Sequence, residues 1–382
     1  MIVLPSTPGH GERVPPGTKL AGVPLVRRTV LAAGRAGFRC VLVSLSRSDD
    51  TRLLAGTAAL PLIPNGSHPL PPLRRLVVIA MNVVPHPRWL RSLCEFPAQP
   101  ERLYVDGTSV AVVETKDPER IVAAAARSRS MAELVAALGP MSGTVDLAPD
   151  GNGRSVLGAL RDVPAAEAWL LRGLVKPSEG FMSRHFERHL SLALTRRFCA
   201  TRLTPNVMTL VSVAVGLLAA PFFLSSAPAW QLAGALLFLT HSILDGCDGE
   251  LARLKFLESR TGAMLDTGGD NLVHVAVFSA MAVGWSLDAR AVWPLLLGAV
   301  TVVSTAAAAA VVYGRGMRAS TEENAHSPAS RLADALAHRD FIYLIVLLAA
   351  FGKARWFLFL TAVGAPTFLL LLAWVGRRRG TS

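Results

Sequence analysis

Positions 245–253 read Asp-Gly-Cys-Asp-Gly-Glu-Leu-Ala-Arg, and eight residues later positions 262–270 read Gly-Ala-Met-Leu-Asp-Thr-Gly-Gly-Asp. The four aspartates, Asp245, Asp248, Asp266 and Asp270, sit among long apolar runs. Acidity at a membrane border is costly unless cations or partners neutralise it, so such a cluster marks a functional site by default. On helices, Asp245, Asp248 and Gly249 fall at i, i+3 and i+4, and Gly262, Asp266 and Asp270 at i, i+4 and i+8, each set sharing one face. Two facing helices would gather four carboxylates, enough oxygen for two divalent ions about 3.5–4 Å apart, as two-metal phosphoryl transfer requires. Magnesium suits such hard ligands, with manganese as the alternative.

Outward from this stretch, apolar segments occupy residues 207–224, 230–244, 272–285, 292–313, 341–351 and 356–375. Several are shorter than the roughly 20 residues a bilayer needs, so their polar flanks, the acidic stretch included, complete the helices. Arg196, Arg197 and Arg202 precede the first segment, and Arg253, Lys255 and Arg260 join the second to the third. Arg315, Arg318, Arg331 and Arg339 join the fourth to the fifth, and Arg377 to Arg379 follow the sixth. The opposite connections hold only Arg290, Lys353 and Arg355. The positive-inside rule then puts both termini and the acidic stretch on the cytoplasmic side of a multi-pass inner-membrane protein.

Residues 161–204 read as a linker and an amphipathic helix lying in the membrane interface. Leu190, Leu194 and Phe198 fall on one side, with Arg184, Arg188, Arg196 and Arg197 among the head groups.

Residues 1–160 have a different pattern. Short apolar runs at 1–4, 40–45 and 76–81 read as buried parallel strands, and 26–37 and 118–127 as helices, predicting a soluble α/β domain. The stretch 139–153 is rich in Gly, Pro, Ser, Asp and Asn and reads as loop. The first run leads into Gly9-His-Gly11-Glu-Arg13 and then Lys19, an order similar to the start of a sugar-phosphate nucleotidyltransferase. That resemblance implies phosphate binding by Gly9, Gly11, Arg13 and Lys19. It also implies a metal-binding aspartate after the third run, where this chain has Asn82. An amide is a poorer magnesium ligand than a carboxylate, so the domain is expected to have kept the fold and lost the cytidylyltransferase chemistry.

Across 382 residues, half of them hydrophobic, the mean hydropathy is +0.41 and the formal charge is +12. The arginines cluster beside apolar segments, which suits anionic lipids or phosphorylated substrates and excludes a nucleic-acid groove, as no aromatic-studded basic stripe is present. Cys40, Cys94, Cys199 and Cys247 lack paired spacing, so neither a zinc site nor a disulfide framework is indicated. The first residues lack a basic region followed by a sustained apolar one, so a cleaved signal peptide is not expected.

The acidic stretch matches, at every defined position, the CDP-alcohol phosphatidyltransferase signature Asp-x2-Asp-Gly-x2-Ala-Arg-x8-Gly-x3-Asp-x3-Asp. This resemblance implies a six-helix transmembrane domain over 205–382. Its activity would be transfer of an alcohol phosphate from a CDP-alcohol to an acceptor hydroxyl, releasing CMP. It implies Asp245, Asp248, Asp266 and Asp270 as metal ligands, with Asp270 also the general base. Gly249, Ala252, Arg253, Gly262, Asn206 and Thr209 would contact the CDP moiety. His241 and His274 flank the acids at helical spacing and are expected to hydrogen-bond them rather than bind metal.

The order of domains, with Lys176 to Arg184 and Thr204-Pro-Asn206 between them, resembles the bifunctional inositol-phosphate cytidylyltransferase and di-inositol-phosphate-phosphate synthase group. An inositol-like alcohol is thereby favoured. Arg331 and Arg339 are candidates for binding a phosphorylated acceptor, and a homodimer is compatible with the reading. Two alternatives stay open: a phospholipid synthase using CDP-diacylglycerol, and a non-catalytic membrane nucleotide sensor.

Overall fold

A computed structural model describes residues 1–6, 14–45, 48–63, 75–107, 109–142, 144–147, 153–175, 186–316 and 341–378. The chain divides into two compact units, Met1–Arg172 and Gly173–Ser382.

The strands of the first unit are β1 (Ile2–Leu4), β2 (Lys19–Leu20), β3 (Val23–Pro24), β4 (Val41–Val43), β5 (Ala59–Pro61), β6 (Arg75–Ala80), β7 (Val83–Pro85), β8 (Leu103–Asp106), β9 (Val110–Glu114), β10 (Thr144–Asp146) and β11 (Arg154–Val156). Its helices are α1 (Leu25–Ala36), α2 (Pro87–Glu95), α3 (Pro118–Arg127), α4 (Met131–Ser142) and α5 (Val163–Arg172). Seven strands form one sheet in the order β10-β8-β9-β6-β1-β4-β5. At its centre Ile2 lies between Leu42 and Val78 in parallel register. These uninterrupted apolar runs are the signature of strands covered on both faces, and Ile2, Leu4, Val78 and Ile79 are fully buried.

Two features depart from the sequence reading. β9 pairs antiparallel with both β6 and β8, so the sheet is mixed. The stretch expected as loop from 139 instead continues α4 to Ser142 and contributes β10, which pairs in parallel with edge strand β8. The edge supplies hydrogen-bond partners that local composition does not reveal. The unit also ends later than 160: α5 packs Ala166 and Leu170 against Leu20, Leu25, Val84 and Leu157, so it belongs to the α/β unit.

In the second unit the helices are α6 (Arg188–Cys199), α7 (Pro205–Ala219), α8 (Pro228–Lys255), α9 (Arg260–Ala289), α10 (Trp293–Gly316), α11 (Phe341–Ala350) and α12 (Phe357–Arg378). Local chemistry sets the ends that matter. Thr204 accepts a hydrogen bond from the Val207 amide, with Pro205 at the first helical position, and so starts α7. Phe256 turns into the left-handed region to stop α8, and Ser259 accepts from the Gly262 amide at 3.0 Å to start α9. This tight turn reverses the chain, α8 and α9 both pack against α7, and Asp266 of α9 comes within reach of Asp245 and Asp248 of α8.

At 1.5 Å per residue α8 and α9 are roughly 42 and 45 Å long, against a hydrocarbon layer of about 30 Å. Among the described residues, three segments are long and apolar enough to cross a membrane: Pro205–Leu224, Arg260–Ala289 and Ala354–Leu371. Trp293–Ala308 and Phe341–Ala350 are shorter apolar helices. Exposed Leu218, Leu287, Leu296, Leu347 and Val363 give the bundle an apolar exterior.

Inside, Phe223, Phe238, Val273, Val277, Phe278, Ile345 and Leu358 form one core. Its helices approach closely through small residues, as membrane bundles do. A Cβ on Gly216 would lie 2.6 Å from Val273 Cγ1, and one on Gly269 would collide with Val213. Gly269 therefore lets the turn of α9 that carries Asp270 approach α7.

Candidate metal and phosphate site

Carboxylate oxygens of Asp245, Asp248 and Asp266 lie within 4.8 Å of one another. Asp245 and Asp248 come from successive turns of α8, and Asp266 from the facing turn of α9. The first two are buried and the third half-buried. Asp266 Oδ1 is buried without a hydrogen-bond partner among the described residues. Three convergent carboxylates repel one another and lose hydration, so the set calls for a cation. Its all-oxygen donors fit magnesium or manganese rather than a soft metal.

Asp270 lies one turn further along α9, outside that triplet, with Oδ1 3.5 Å from His241 Nε2. His241 Nδ1 donates to the Ser212 carbonyl at 2.9 Å, which fixes the ring between α7 and α9. His274, expected to serve the acids likewise, stacks on Phe278 and lies edge-on to Phe238 within the aromatic core.

Thr209 was expected against the nucleotide. It is 2% exposed, and its hydroxyl donates to Asp248 Oδ2, with the Pro205 carbonyl 3.2 Å away. A hydroxyl has one hydrogen to give, so Thr209 steadies a carboxylate. Asn206 is exposed at the start of α7, and its Oδ1 would lie 3.1 Å from a Cβ at Gly262. The absent side chain at 262 is what admits it. On α8 the Arg253 guanidinium folds over Gly249, where a Cβ would be 3.3 Å from its Nη1. Ala252 beside it is half-buried.

A cavity of about 210 Å³ opens here, lined by Asp245, Asp248, Asp266 and Arg253 on one side and by Arg188, Ser191 and Ser242 on another. The second group was not anticipated. The sequence sets Leu190, Leu194 and Phe198 of α6 against its arginines, yet the face it packs inward carries Ser191, Thr195 and Cys199. Leu190 is exposed, as are Arg196 and Arg197.

The partner of that small polar face is Glu250, fully buried on α8. It accepts from Ser191 Oγ at 2.7 Å, Thr195 Oγ1 at 2.6 Å and Arg188 Nη1 at 2.5 Å. Arg188 thus points at α8 rather than out among head groups. Glu250 stands five residues from Asp245, roughly 140° round the helix, so it is a fifth acid on a different face. The polar i, i+4 pair Ser191 and Thr195 was the available signal.

Arg331 and Arg339, and Gly9, Gly11 and Arg13, lie outside the described residues. Lys19 is exposed at the start of β2. Asn82, just past β6, donates from Nδ2 to the Leu157 carbonyl at 2.8 Å while its own carbonyl accepts from the Leu157 amide at 2.9 Å.

Bifunctional IPC transferase and DIPP synthase of Archaeoglobus fulgidus is 30% identical over 216 residues, 55% of this chain and 42% of that protein. The protein of the same name in Thermococcus kodakarensis is 35% identical over 134 residues, 35% of this chain and 30% of that one. CDP-diacylglycerol–serine O-phosphatidyltransferase of Mycobacterium tuberculosis is 33% identical over 99 residues, 24% of this chain and 34% of the relative. The matches span less than half the length of each relative. The sequence pattern of CDP-alcohol phosphatidyltransferase matches residues 202–377, a little under half of this chain and the stretch that holds all four aspartates.

Proposed function

We propose that the second unit transfers a substituted phosphate from a CDP-alcohol to an acceptor hydroxyl and releases CMP, with an inositol-like polar alcohol as the donor's cargo. The observation that carries this reading is the convergence of Asp245, Asp248 and Asp266 within 4.8 Å, in a cavity that also holds a guanidinium. Those three aspartates, with Asp270 at the edge of the group, would hold two magnesium ions, manganese being the alternative. Bound there, the ions would neutralise phosphate charge, the main demand of phosphoryl transfer.

The rest falls to the chain's own groups. Arg253 meets phosphate charge from its seat over Gly249. Asn206, seated in the space that Gly262 leaves at the adjoining starts of α7 and α9, offers its exposed amide to the nucleotide. Asp270 takes the acceptor's proton as its oxygen attacks phosphorus and the bond to the CMP oxygen breaks. Its place outside the triplet, with His241 behind it, supports a base more than a third-turn ligand; the base must lie within hydrogen-bond reach of the proton it removes.

We place six helices, α7 to α12, across the membrane, with the acidic turns and both termini on the cytoplasmic side, where arginines concentrate. The first unit is read as a nucleotidyltransferase-like fold without its chemistry, so the CDP-alcohol would be made elsewhere.

The test is CMP release by the full chain with Mg²⁺, from CDP-inositol and from CDP-diacylglycerol in parallel. Turnover of CDP-inositol is expected. Turnover of CDP-diacylglycerol alone would make the protein a phospholipid synthase, and release from neither would contradict the transferase reading.

A further inference from the structure

Ser242, Gly246, Gly249 and Arg253 recur along α8 at i, i+4, i+7 and i+11, a single stripe, and all four line the cavity. Two of them are glycines, so the stripe is a groove with a bare floor. Two guanidiniums lie across it. That of Arg253 covers Gly249, and that of Arg188, reaching in from α6, has Nη1 3.7 Å from where a Cβ at Gly246 would sit. Gly246 and Gly249 are about 4.5 Å apart along the axis at 1.5 Å per residue, the scale on which two linked phosphoryl groups sit.

Arg188 is held at its post. Glu250, with no exposure of its own, receives it at 2.5 Å and is itself fixed by Ser191 and Thr195. At the inner end of the stripe Ser242 is 3% exposed, and its Oγ has no hydrogen-bond partner among the described residues. A buried hydroxyl in a cavity wall is costly unless something hydrogen-bonds it. The aspartate triplet flanks the same groove, so an anion lying in it would meet cationic side chains on one side and carboxylate-held cations on the other.

We propose that Arg188 and Arg253 form a two-arginine clamp on the pyrophosphate of the CDP-linked donor, Arg253 on the nucleotide-side phosphate and Arg188 on the phosphate that is transferred, with Ser242 receiving the alcohol end. This rests on the CDP-alcohol reading of the site. Arg188 lies outside the signature that names Arg253, and it comes from the helix in front of the bundle. α6 thereby becomes part of the substrate site. A guanidinium fork matches phosphate oxygens in a way that a lysine does not.

Binding of CDP and of CMP to the full chain in detergent with Mn²⁺ distinguishes the two arginines, because only CDP presents the second phosphate. Arg188→Ala is expected to weaken CDP roughly 10- to 100-fold, the loss of a charge-assisted hydrogen bond, and to leave CMP affinity unchanged. Arg253→Ala is expected to weaken both. Arg188→Gln, whose amide still donates to Glu250, protects against a folding defect and should show the same selective loss. CDP affinity unchanged in both Arg188 variants, or CDP and CMP falling together, would overturn the clamp. Wild-type protein that binds neither nucleotide would overturn the CDP reading of the whole site.

Discussion

Asn82, just past the buried strand β6, and Asp266, in the second turn of α9, are the points in the two units where nucleotide chemistry is expected, and their surroundings differ. The Asn82 side-chain amide donates to the Leu157 carbonyl, and the Leu157 amide returns a bond to the main-chain carbonyl of Asn82, so the residue closes the β7–β11 pairing. Asp266 instead meets two further carboxylates from the neighbouring helix, and its Oδ1 is buried without a hydrogen-bond partner among the described residues. Asn82 Oδ1 is also buried without a hydrogen-bond partner among the described residues, so what separates the two is convergence: among the described residues the acids that gather are Asp245, Asp248 and Asp266. In one unit the donor is used to hold the fold; in the other the fold holds the donors.

The comparison can be broken from either side. After the metal ligands themselves, the largest effect is expected at the base: Asp270→Asn should lower CMP release by roughly 10²- to 10⁴-fold, the usual worth of general base catalysis. Mn²⁺ should still bind through Asp245, Asp248 and Asp266, with its affinity lowered far less than the rate. A parallel loss of Mn²⁺ in a titration would instead make Asp270 a metal ligand of equal rank.

Next comes Thr209→Val, which removes the hydroxyl from Asp248 while keeping its shape. A group that orients a metal ligand is typically worth 10- to 100-fold in metal affinity, so Mn²⁺ binding should weaken by about that factor. Unchanged binding would return Thr209 to the nucleotide.

The smallest effect belongs to the first unit. Asn82→Asp would set a carboxylate against the Leu157 carbonyl, destabilising the unit by about 1–3 kcal/mol, the cost of a buried group left without its hydrogen bond. Denaturant unfolding would measure it. Neither the wild-type chain nor this variant should release pyrophosphate from CTP with an inositol phosphate; release would break the contrast between the two units.

Much of this was legible from sequence, for identifiable reasons. Carboxylate spacing of three and four residues fixes a shared helix face whatever the tertiary context; of the four aspartates expected to gather, Asp245, Asp248 and Asp266 converge and Asp270 lies outside the group. The strands around Ile2 and Val78 follow from uninterrupted apolar runs. What sequence did not show depends on partners far along the chain. α6 carries three faces, and the one that packs, Ser191, Thr195 and Cys199, is neither its most apolar nor its most charged. Only the presence of Glu250, more than fifty residues away, makes that face the buried one. β10 likewise exists because β8 offers an edge, and α5 joins the first unit because Leu157 and Leu20 give Ala166 somewhere to pack.

The claim that the α8–α9 carboxylates do the chemistry is tested most directly by Asp266→Asn, assayed for CMP release at saturating Mn²⁺ with whichever CDP-alcohol the wild-type protein consumes. The account predicts a folded protein with no release above background. Release at the wild-type rate would contradict it.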